Sequence, residues 1–448
     1  MQRLRDHMRA LLGLGLPLVG SNLAQIAIGM TDTVMLGWYD VRALAAMVLA
    51  GTLFYPMFFF GSGFAQAVMP LVSAAAETGD DIRIRRATRM GMWISIGFGL
   101  MILPLFWFAA PLLRMIGQEP DLALGAQSYL RIIGWGMLPG LLVMVLKSYL
   151  AAQEHTRVQL VATLAAAAAN AGLNYVLIFG HFGAPELGMR GAAIASVAVQ
   201  LVLLAVLMGS ALRNFPDHHL FQRLWRPDFD ALRDVFRMGW HIGLTTLAEV
   251  GLFSFSGLLV GLFGAVALAA HGIALQISSM AFLAELGLSS AATVRAGRAF
   301  GANDVPRLRK GALAAYILAG GWAALAAIAF LTIPDLLVGA FVSRDEPLRA
   351  EILEMGRVLL TMAALFQLAD ASQVVAAGLL RGMQDTRAPM YIAAASYWLI
   401  GAPASWLIGA VLGFGVVGVW WGLVSGLTAA AILLTSRFLR ASARMWET

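Results

Sequence analysis

The sequence consists mainly of apolar runs that are each long enough to cross a lipid bilayer as a helix. About 20 apolar residues span the hydrocarbon core. Twelve runs of this length follow one another, at residues 11–36, 43–75, 88–113, 122–150, 158–180, 190–212, 235–263, 266–294, 311–340, 350–380, 388–412 and 416–439. Only 12% of the 448 residues are charged, against about 25% in a soluble domain. The sequence therefore predicts an all-α polytopic membrane protein with twelve transmembrane helices.

The amino-acid composition further limits the possible folds and the chemistry that the side chains can perform. The runs are rich in Gly and Ala, which favours closely packed helices over an outer-membrane β-barrel. The absence of cysteine excludes disulfides, thiol chemistry and thiolate metal sites. Arg3, Arg5 and Arg9 precede a first run that is too long for the core of a cleavable signal peptide, so we expect a retained first span.

The basic residues indicate the orientation in the membrane. Most of the 31 Lys and Arg lie in the two terminal tails or near the even-numbered connections between runs. Under the positive-inside rule, this places both termini in the cytoplasm. Because the basic residues are concentrated in these segments, the net charge of +6 does not indicate nucleic-acid binding.

An internal repeat relates the two halves of the chain. Gly37–Met47 reads GWYDVRALAAM, and Gly261–His271 reads GLFGAVALAAH without a gap. Extending the alignment back at the same offset pairs Gln25 with Glu249. Because each half has six spans, both halves enter the membrane from the same side. We therefore expect two lobes related by a pseudo-two-fold axis along the membrane normal, as in rocking transporters.

The longest polar segment sets the predicted boundary between the lobes. Residues 1–212 form the N-terminal lobe, residues 213–234 a cytoplasmic linker, and residues 235–448 the C-terminal lobe.

Buried acids are the strongest functional signal in the C-terminal half. Asp370 lies near the middle of the tenth run, and Gln367 and Gln373 share its helical face. Glu249 lies in the seventh run and Glu285 in the eighth, with no Lys or Arg expected at the same depth. An unpaired carboxylate in hydrocarbon must stay protonated or hold a cation. We therefore predict a cation-coupling or substrate site, with a possible Na⁺ at Glu249 and Asp370; the alternative is structural hydrogen bonding between helices.

A second polar cluster is predicted in the N-terminal half. Asp32 lies in the first run, Asn170 and Asn174 lie one turn apart in the fifth, and Ser196 lies in the sixth. Carboxylate, amide and hydroxyl oxygens are ligands for a hard cation. The alternative is that the asparagines only bridge helices.

Other functional classes lack their signatures. There is no GxxxxGK[ST] loop, no soluble domain large enough to hydrolyse ATP, and no HExxH-type cluster, so we do not expect an enzyme. A channel would need a selectivity filter, and none is recognisable.

Several segments resemble the multidrug and toxic compound extrusion (MATE) family, and its NorM-like branch in particular. The most specific is FQLADASQVVAAGLLRGMQDTRAP, which is similar to the tenth-span block of that family. The first span with MTDTVMLG, the seventh with LAEVGLFSFSGLLVGLFG, and the fifth and sixth with NAGLNYVLIFG and FGAPELGMRGAAIAS are also similar.

The resemblance implies a monomeric exporter in the inner membrane that exchanges organic, often cationic and amphipathic drugs for Na⁺ or H⁺ without another cofactor. Glu249 and Asp370 match the acids of the family's C-lobe cation site. Asp32, Asn170 and Asn174 match its N-lobe polar site, whereas Glu285 departs from the usual pattern. A flippase of lipid-linked oligosaccharides in the same superfamily is the alternative, but it would need a basic cavity to hold a pyrophosphate.

Overall fold

The computed structural model describes residues 4–222 and 224–447, and these residues are almost entirely helical. Twelve helices are long and apolar enough to cross a membrane. They are α1 Leu4–Tyr39, α2 Val41–Gln66 with its continuation Val68–Thr78, α3 Asp81–Trp107, α4 Pro120–Ala152, α5 Thr156–Phe179, α6 Met189–Asn214, α7 Phe229–Gly261, α8 Ala265–Gly301, α9 Val305–Thr332, α10 Arg349–Gly382, α11 Arg387–Val411 and α12 Gly415–Glu447. The predicted all-α class and the number of spans are confirmed.

The third span of each half ends earlier than predicted. Helix α3 stops at Trp107 and is followed by the short helix Ala109–Met115. Helix α9 stops at Thr332 and is followed by Pro334–Gly339. In α9 the cause is steric, because the residue before a proline is disfavoured in helical geometry, and Ile333 has φ −129°.

The repeat seen in the sequence extends to local structure. The carboxylate of Asp80 accepts a hydrogen bond from the backbone N–H of Arg83, at 2.9 Å, and caps α3. Asp304 does the same for Arg307 at the start of α9, also at 2.9 Å. Such caps satisfy N–H groups that have no partner within the helix. The corresponding third helices of the two halves therefore begin and end in the same way.

The helices pack into two compact units. One comprises Gly20–Gly243, and the other comprises Met1–Val19 together with Leu244–Thr448. Helices α1 and α7 are thus each divided between the units. We call these the N unit and the C unit and describe each by itself; the lobe boundaries at 212 and 235 stay a prediction.

Close glycine contacts hold the divided helices in place. In the N unit, a Cβ added to Gly63 of α2 would lie 2.4 Å from the backbone nitrogen of Gly243 in α7. In the C unit, a Cβ on Gly287 of α8 would lie 2.5 Å from a methyl carbon of Val19 in α1. Small residues let helix backbones approach this closely within a membrane. Gly63 and Gly287 are separated by the same offset as the sequence repeat, so the two contacts correspond.

The predicted linker is packed against α3. The guanidinium of Arg89 donates hydrogen bonds to the carbonyl oxygens of Leu220, at 2.8 Å, and of His219, at 2.7 Å. The indole N–H of Trp93 donates to the carbonyl oxygen of Leu224 at 2.7 Å. These bonds satisfy backbone groups of a segment that has little regular structure of its own.

His218 anchors the same segment to two neighbouring helices. Its Nδ1 and the hydroxyl of Tyr149 form a hydrogen bond of 2.6 Å, and its Nε2 lies 3.4 Å from a carboxylate oxygen of Asp81. Burial lowers the pKa of His218, while the charges of Asp81 and Asp217 oppose that shift. Packing of the linker therefore favours the neutral form of the His218 imidazole.

Docking of the linker should weaken in acid. Above the ordinary histidine pKa of about 6.5, His218 is neutral whether docked or not. As the pH falls below that value, the undocked segment takes up a proton more readily than the docked one, so the stability of docking is lost. Hydrogen–deuterium exchange of residues 215–222, corrected for its intrinsic pH dependence, should rise between pH 7.5 and pH 5.5. His218→Gln should remove this pH dependence, and an unchanged profile in that variant would contradict the assignment.

The glycine contact in the N unit can be tested with a matched pair of variants. Gly63→Ala forces a methyl group against backbone atoms that cannot rotate away, at a cost of about 1–3 kcal/mol. Gly97→Ala is the control, because a Cβ there meets nothing within 4 Å. Thermal unfolding in detergent should show a lower melting temperature for the first variant only. Equal melting temperatures would mean that the helices separate without penalty.

Candidate functional site

Helix α10 carries the central acid of the C unit into the packed interior. Asp370 is 3% exposed, Gln367 is fully buried and Gln373 is 3% exposed. Their spacing of three residues to either side places them on one face. The structure thus brings the predicted residues of the tenth span together in a protein environment, where a charge cannot be stabilised by bulk water.

The acid of α8 joins this cluster. Glu285 is fully buried, and the side-chain amide of Gln367 donates a hydrogen bond to its Oε1 at 2.8 Å. Asp370 interacts electrostatically with both Glu285 and Glu249. Asp370 therefore lies within electrostatic range of both other predicted acids of the C-terminal half.

Four buried oxygens of this cluster accept no hydrogen bond from any residue that the structure describes. They are Oε2 of Glu285, Oε1 of Gln367, Oδ1 of Asp370 and Oε1 of Gln373. Buried acceptors normally have a partner, and leaving one without a partner costs free energy. A proton or a hard cation would supply the missing interaction. Among the described residues, no three His, Asp or Glu are arranged to hold a metal ion, so any cation here would also use neutral oxygens.

One residue near these acids, Tyr397, was not assigned a role from the sequence. Gln373 donates its amide N–H to the hydroxyl oxygen of Tyr397 at 2.8 Å. Tyr397 lies in a π-helical turn of α11, Ser396–Gly401, and such turns are frequent at functional sites. It was visible in the sequence only as one of many aromatic residues, and its position next to an acid depends on packing.

The expectation that no basic residue reaches these acids was wrong for Glu249, which interacts electrostatically with Arg381. The predicted tenth span ended at residue 380, but α10 continues through Arg381 to Gly382. Helix α10 thus carries a basic residue at its end whose charge reaches Glu249.

The N unit assembles its predicted polar cluster with full hydrogen bonding of the acid. Asp32 is 7% exposed. Its Oδ1 accepts a hydrogen bond from the amide of Asn174 and its Oδ2 one from the hydroxyl of Ser196, both at 2.6 Å. The same amide of Asn174 also donates to Oδ1 of Asn170 at 3.2 Å. Donors that converge on both oxygens favour the charged form of a carboxylate.

The acids of the two units thus have different surroundings. Asp32 is held by donors on both of its oxygens, while Tyr55 and Tyr129 lie within electrostatic range. In the C unit, Asp370 keeps an oxygen without a partner. The C-unit cluster therefore has the greater unmet capacity to take up a proton or a cation.

These features define a multi-pass membrane protein made of two related six-helix halves, with buried carboxylates in each unit. A family model described as MatE matches residues 17–176 and 242–407. The chain belongs to the MatE family, the multidrug and toxic compound extrusion transporters.

Relatives and solved structures agree with this assignment. Two proteins named "Probable multidrug resistance protein NorM" match over nearly their whole length. That of Rhizobium meliloti is 45% identical over 97% of this chain and 93% of its own, and that of Agrobacterium fabrum is 44% identical over 97% and 94%. The chain is therefore a NorM-like bacterial membrane protein.

The fold is shared with more distant proteins. A MOP superfamily transporter from Pyrococcus furiosus superposes with a TM-score of 0.88 at 17% identity, covering 99% of this chain and 97% of its own. A eukaryotic MATE transporter superposes with a TM-score of 0.85 at 18% identity, covering 99% of both chains. At this level of identity the likeness concerns the fold alone.

Replacing Glu285 with its neutral isostere should stabilise the C unit when no cation is available. Glu285→Gln removes a buried carboxylate charge while keeping an oxygen that can accept from Gln367. At pH 8 in choline buffer, the variant should melt several degrees higher than wild type, since about 1 kcal/mol corresponds to about 2–4 °C. Glu351→Gln, at an exposed position on α10, should leave the melting temperature unchanged. A lower melting temperature for Glu285→Gln would mean that its charge is already compensated.

Proposed function

We propose that this protein is a secondary antiporter that exports organic, often cationic and amphipathic drugs in exchange for Na⁺ or H⁺ by alternating access. The observation that carries the proposal is the group of buried oxygens without partners around Asp370 and Glu285. Membership of the MatE family and the names of the NorM relatives support drug export as the outcome.

Coupling would follow from competition for the same negative charge. A proton or a cation that enters the C-unit cluster neutralises Asp370 and supplies the interaction that its oxygen lacks. A cationic drug would be held while the carboxylates are charged and released when they are neutralised. The exchange then needs no chemical change in either solute, which is consistent with a transporter rather than an enzyme.

The N-unit cluster would have a different role in this scheme. Because Ser196 and Asn174 already satisfy both oxygens of Asp32, ion entry there must displace an existing hydrogen bond. We infer that Asp32 responds to ions or drugs only when its donors rearrange, whereas the C-unit cluster is ready to bind.

The proposal also includes the cellular setting. We infer insertion in the inner membrane with both termini in the cytoplasm, on the positive-inside pattern. We further infer that the protein works as a monomer, with Na⁺ or H⁺ as its coupling ion and no other cofactor.

Gradient-driven dye export tests the function and the site together. Wild type, Asp370→Asn and Glu249→Gln would be reconstituted in proteoliposomes loaded with ethidium, and a Na⁺ gradient and a pH gradient would be imposed separately. Wild type should export ethidium under one of the two gradients. The export rate of each variant should be more than about tenfold lower, because a neutral amide cannot exchange a cation. Glu351→Gln is the control for removing an exposed carboxylate.

The outcomes distinguish the alternatives. Export driven by Na⁺ alone or by the pH gradient alone would identify the coupling ion. Normal export by both variants would show that these acids are structural. Absence of export under either gradient would contradict the antiporter proposal for this dye and favour the flippase alternative.

A further inference from the structure

One lysine within a span of the N unit is not part of the acid cluster. Lys147 lies in α4, within a span, and is partly exposed. Its ammonium donates a long hydrogen bond of 3.4 Å to the side-chain oxygen of Gln25 in α1. Among the described residues, no carboxylate pairs with it. A cation at this depth is costly unless it has a partner or a function.

The backbone at Lys147 is held in place by packing and by a hydrogen bond, so only the side chain of Lys147 can move to meet a ligand. The amide of Gln159 in α5 donates to the carbonyl oxygen of Lys147 at 2.8 Å. Leu146 and Ser148, on either side, are buried. The side chain reaches Gln25, near the middle of α1, instead of extending toward the nearby end of α4 at Ala152. It therefore does not behave as a lysine that seeks the aqueous interface.

Comparison of the two halves shows that Lys147 lacks the acidic partner that the corresponding position in the C unit provides. Gln25 corresponds to Glu249 in the alignment of the two halves. In the C unit, Glu249 interacts with the guanidinium of Arg381, from the end of α10. In the N unit, Lys147 comes from the end of the corresponding helix but meets a neutral amide. The C unit thus supplies its own counter-charge, and the N unit leaves the cation without one.

We propose that Lys147 and Gln25 form an anion subsite that binds the carboxylate of an acidic or zwitterionic solute. The side-chain oxygen of Gln25 accepts from the ammonium, so its amide N–H groups remain able to donate beside the lysine. One ammonium and one amide can hold both oxygens of a carboxylate. This subsite rests on the proposed export of organic solutes and extends it beyond cations.

The position of Asp32 sets the distance between opposite charges that a ligand of this subsite should have. Asp32 follows Gln25 by seven residues, which is two helical turns, so both lie on the same face of α1 about 10 Å apart. The N unit therefore holds the ammonium of Lys147 against Gln25 of α1, two helical turns along α1 from the carboxylate of Asp32. A zwitterion whose charges are separated by a similar distance is complementary to this arrangement.

Two rhodamine dyes that differ only in a carboxylate provide the test. Rhodamine 110 carries the free acid, and rhodamine 123 is its methyl ester. Their equilibrium dissociation constants would be measured by fluorescence anisotropy with purified protein and no ion gradient. In Lys147→Met, the affinity ratio of rhodamine 110 to rhodamine 123 should fall about tenfold relative to wild type, because a charge-assisted hydrogen bond is lost.

Further variants make the result specific. Lys147→Arg should retain most of the ratio, and Gln25→Glu should lower it as Lys147→Met does, since the new carboxylate competes for the ammonium. Gln25→Glu also serves if Lys147→Met does not fold. Lys310→Met, at the other lysine of the chain, is the control and should leave the ratio unchanged.

An unchanged ratio in both Lys147→Met and Gln25→Glu would overturn the subsite. Because the assay needs no transport, loss of gradient-driven export would count against the antiporter and not against the subsite.

Discussion

A carboxylate in the interior of a membrane protein must be protonated, hydrogen-bonded by donors, or paired with a cation, because the hydrocarbon offers no water to stabilise its charge. The two units of this protein meet that requirement differently. Asp32 receives a donor on each oxygen, whereas the group around Asp370 and Glu285 leaves oxygens without partners. In the first arrangement the carboxylate has its partners, although Oδ1 of the neighbouring Asn174 has none among the described residues. In the second, the acids themselves keep oxygens that an added ion or proton would satisfy. An exchanger needs at least one site of the second kind.

The repeat explains why such a division of roles is possible. Duplication gives both units the same helix ends and caps, as at Asp80 and Asp304, and the same close glycine contacts. The polar side chains inside can then diverge without changing the scaffold. Gln25 and Glu249 occupy corresponding positions and interact with Lys147 and Arg381, respectively, but only Glu249 supplies an opposite charge. Each unit therefore carries a different arrangement of charges on one shared framework.

Much of the fold could be predicted from the sequence, because runs of apolar residues have few other ways to satisfy their backbone groups in lipid. The residues of the polar clusters were also identifiable, since a charge such as Asp370 stands out within an apolar run. What could not be predicted were partners that depend on how far helices extend and how they pack. Arg381 lay one residue beyond a predicted span, and Tyr397 was one aromatic residue among many. The linker's packing on α3 through Arg89 had no signal in sequence, because it uses backbone carbonyl groups.

The division of α1 between the two units has a consequence for biosynthesis. Its first part, up to Val19, packs with the C unit, where Gly287 of α8 approaches it closely. Helix α1 leaves the ribosome well before α8, because more than 200 residues separate the two helices in the chain. Until α8 has been synthesised, the start of α1 therefore lies in the membrane without the helix that it finally packs against. Complete packing of the first helix thus depends on translation well into the second half, so premature termination after the linker would leave an N-terminal fragment with an unpaired helix surface.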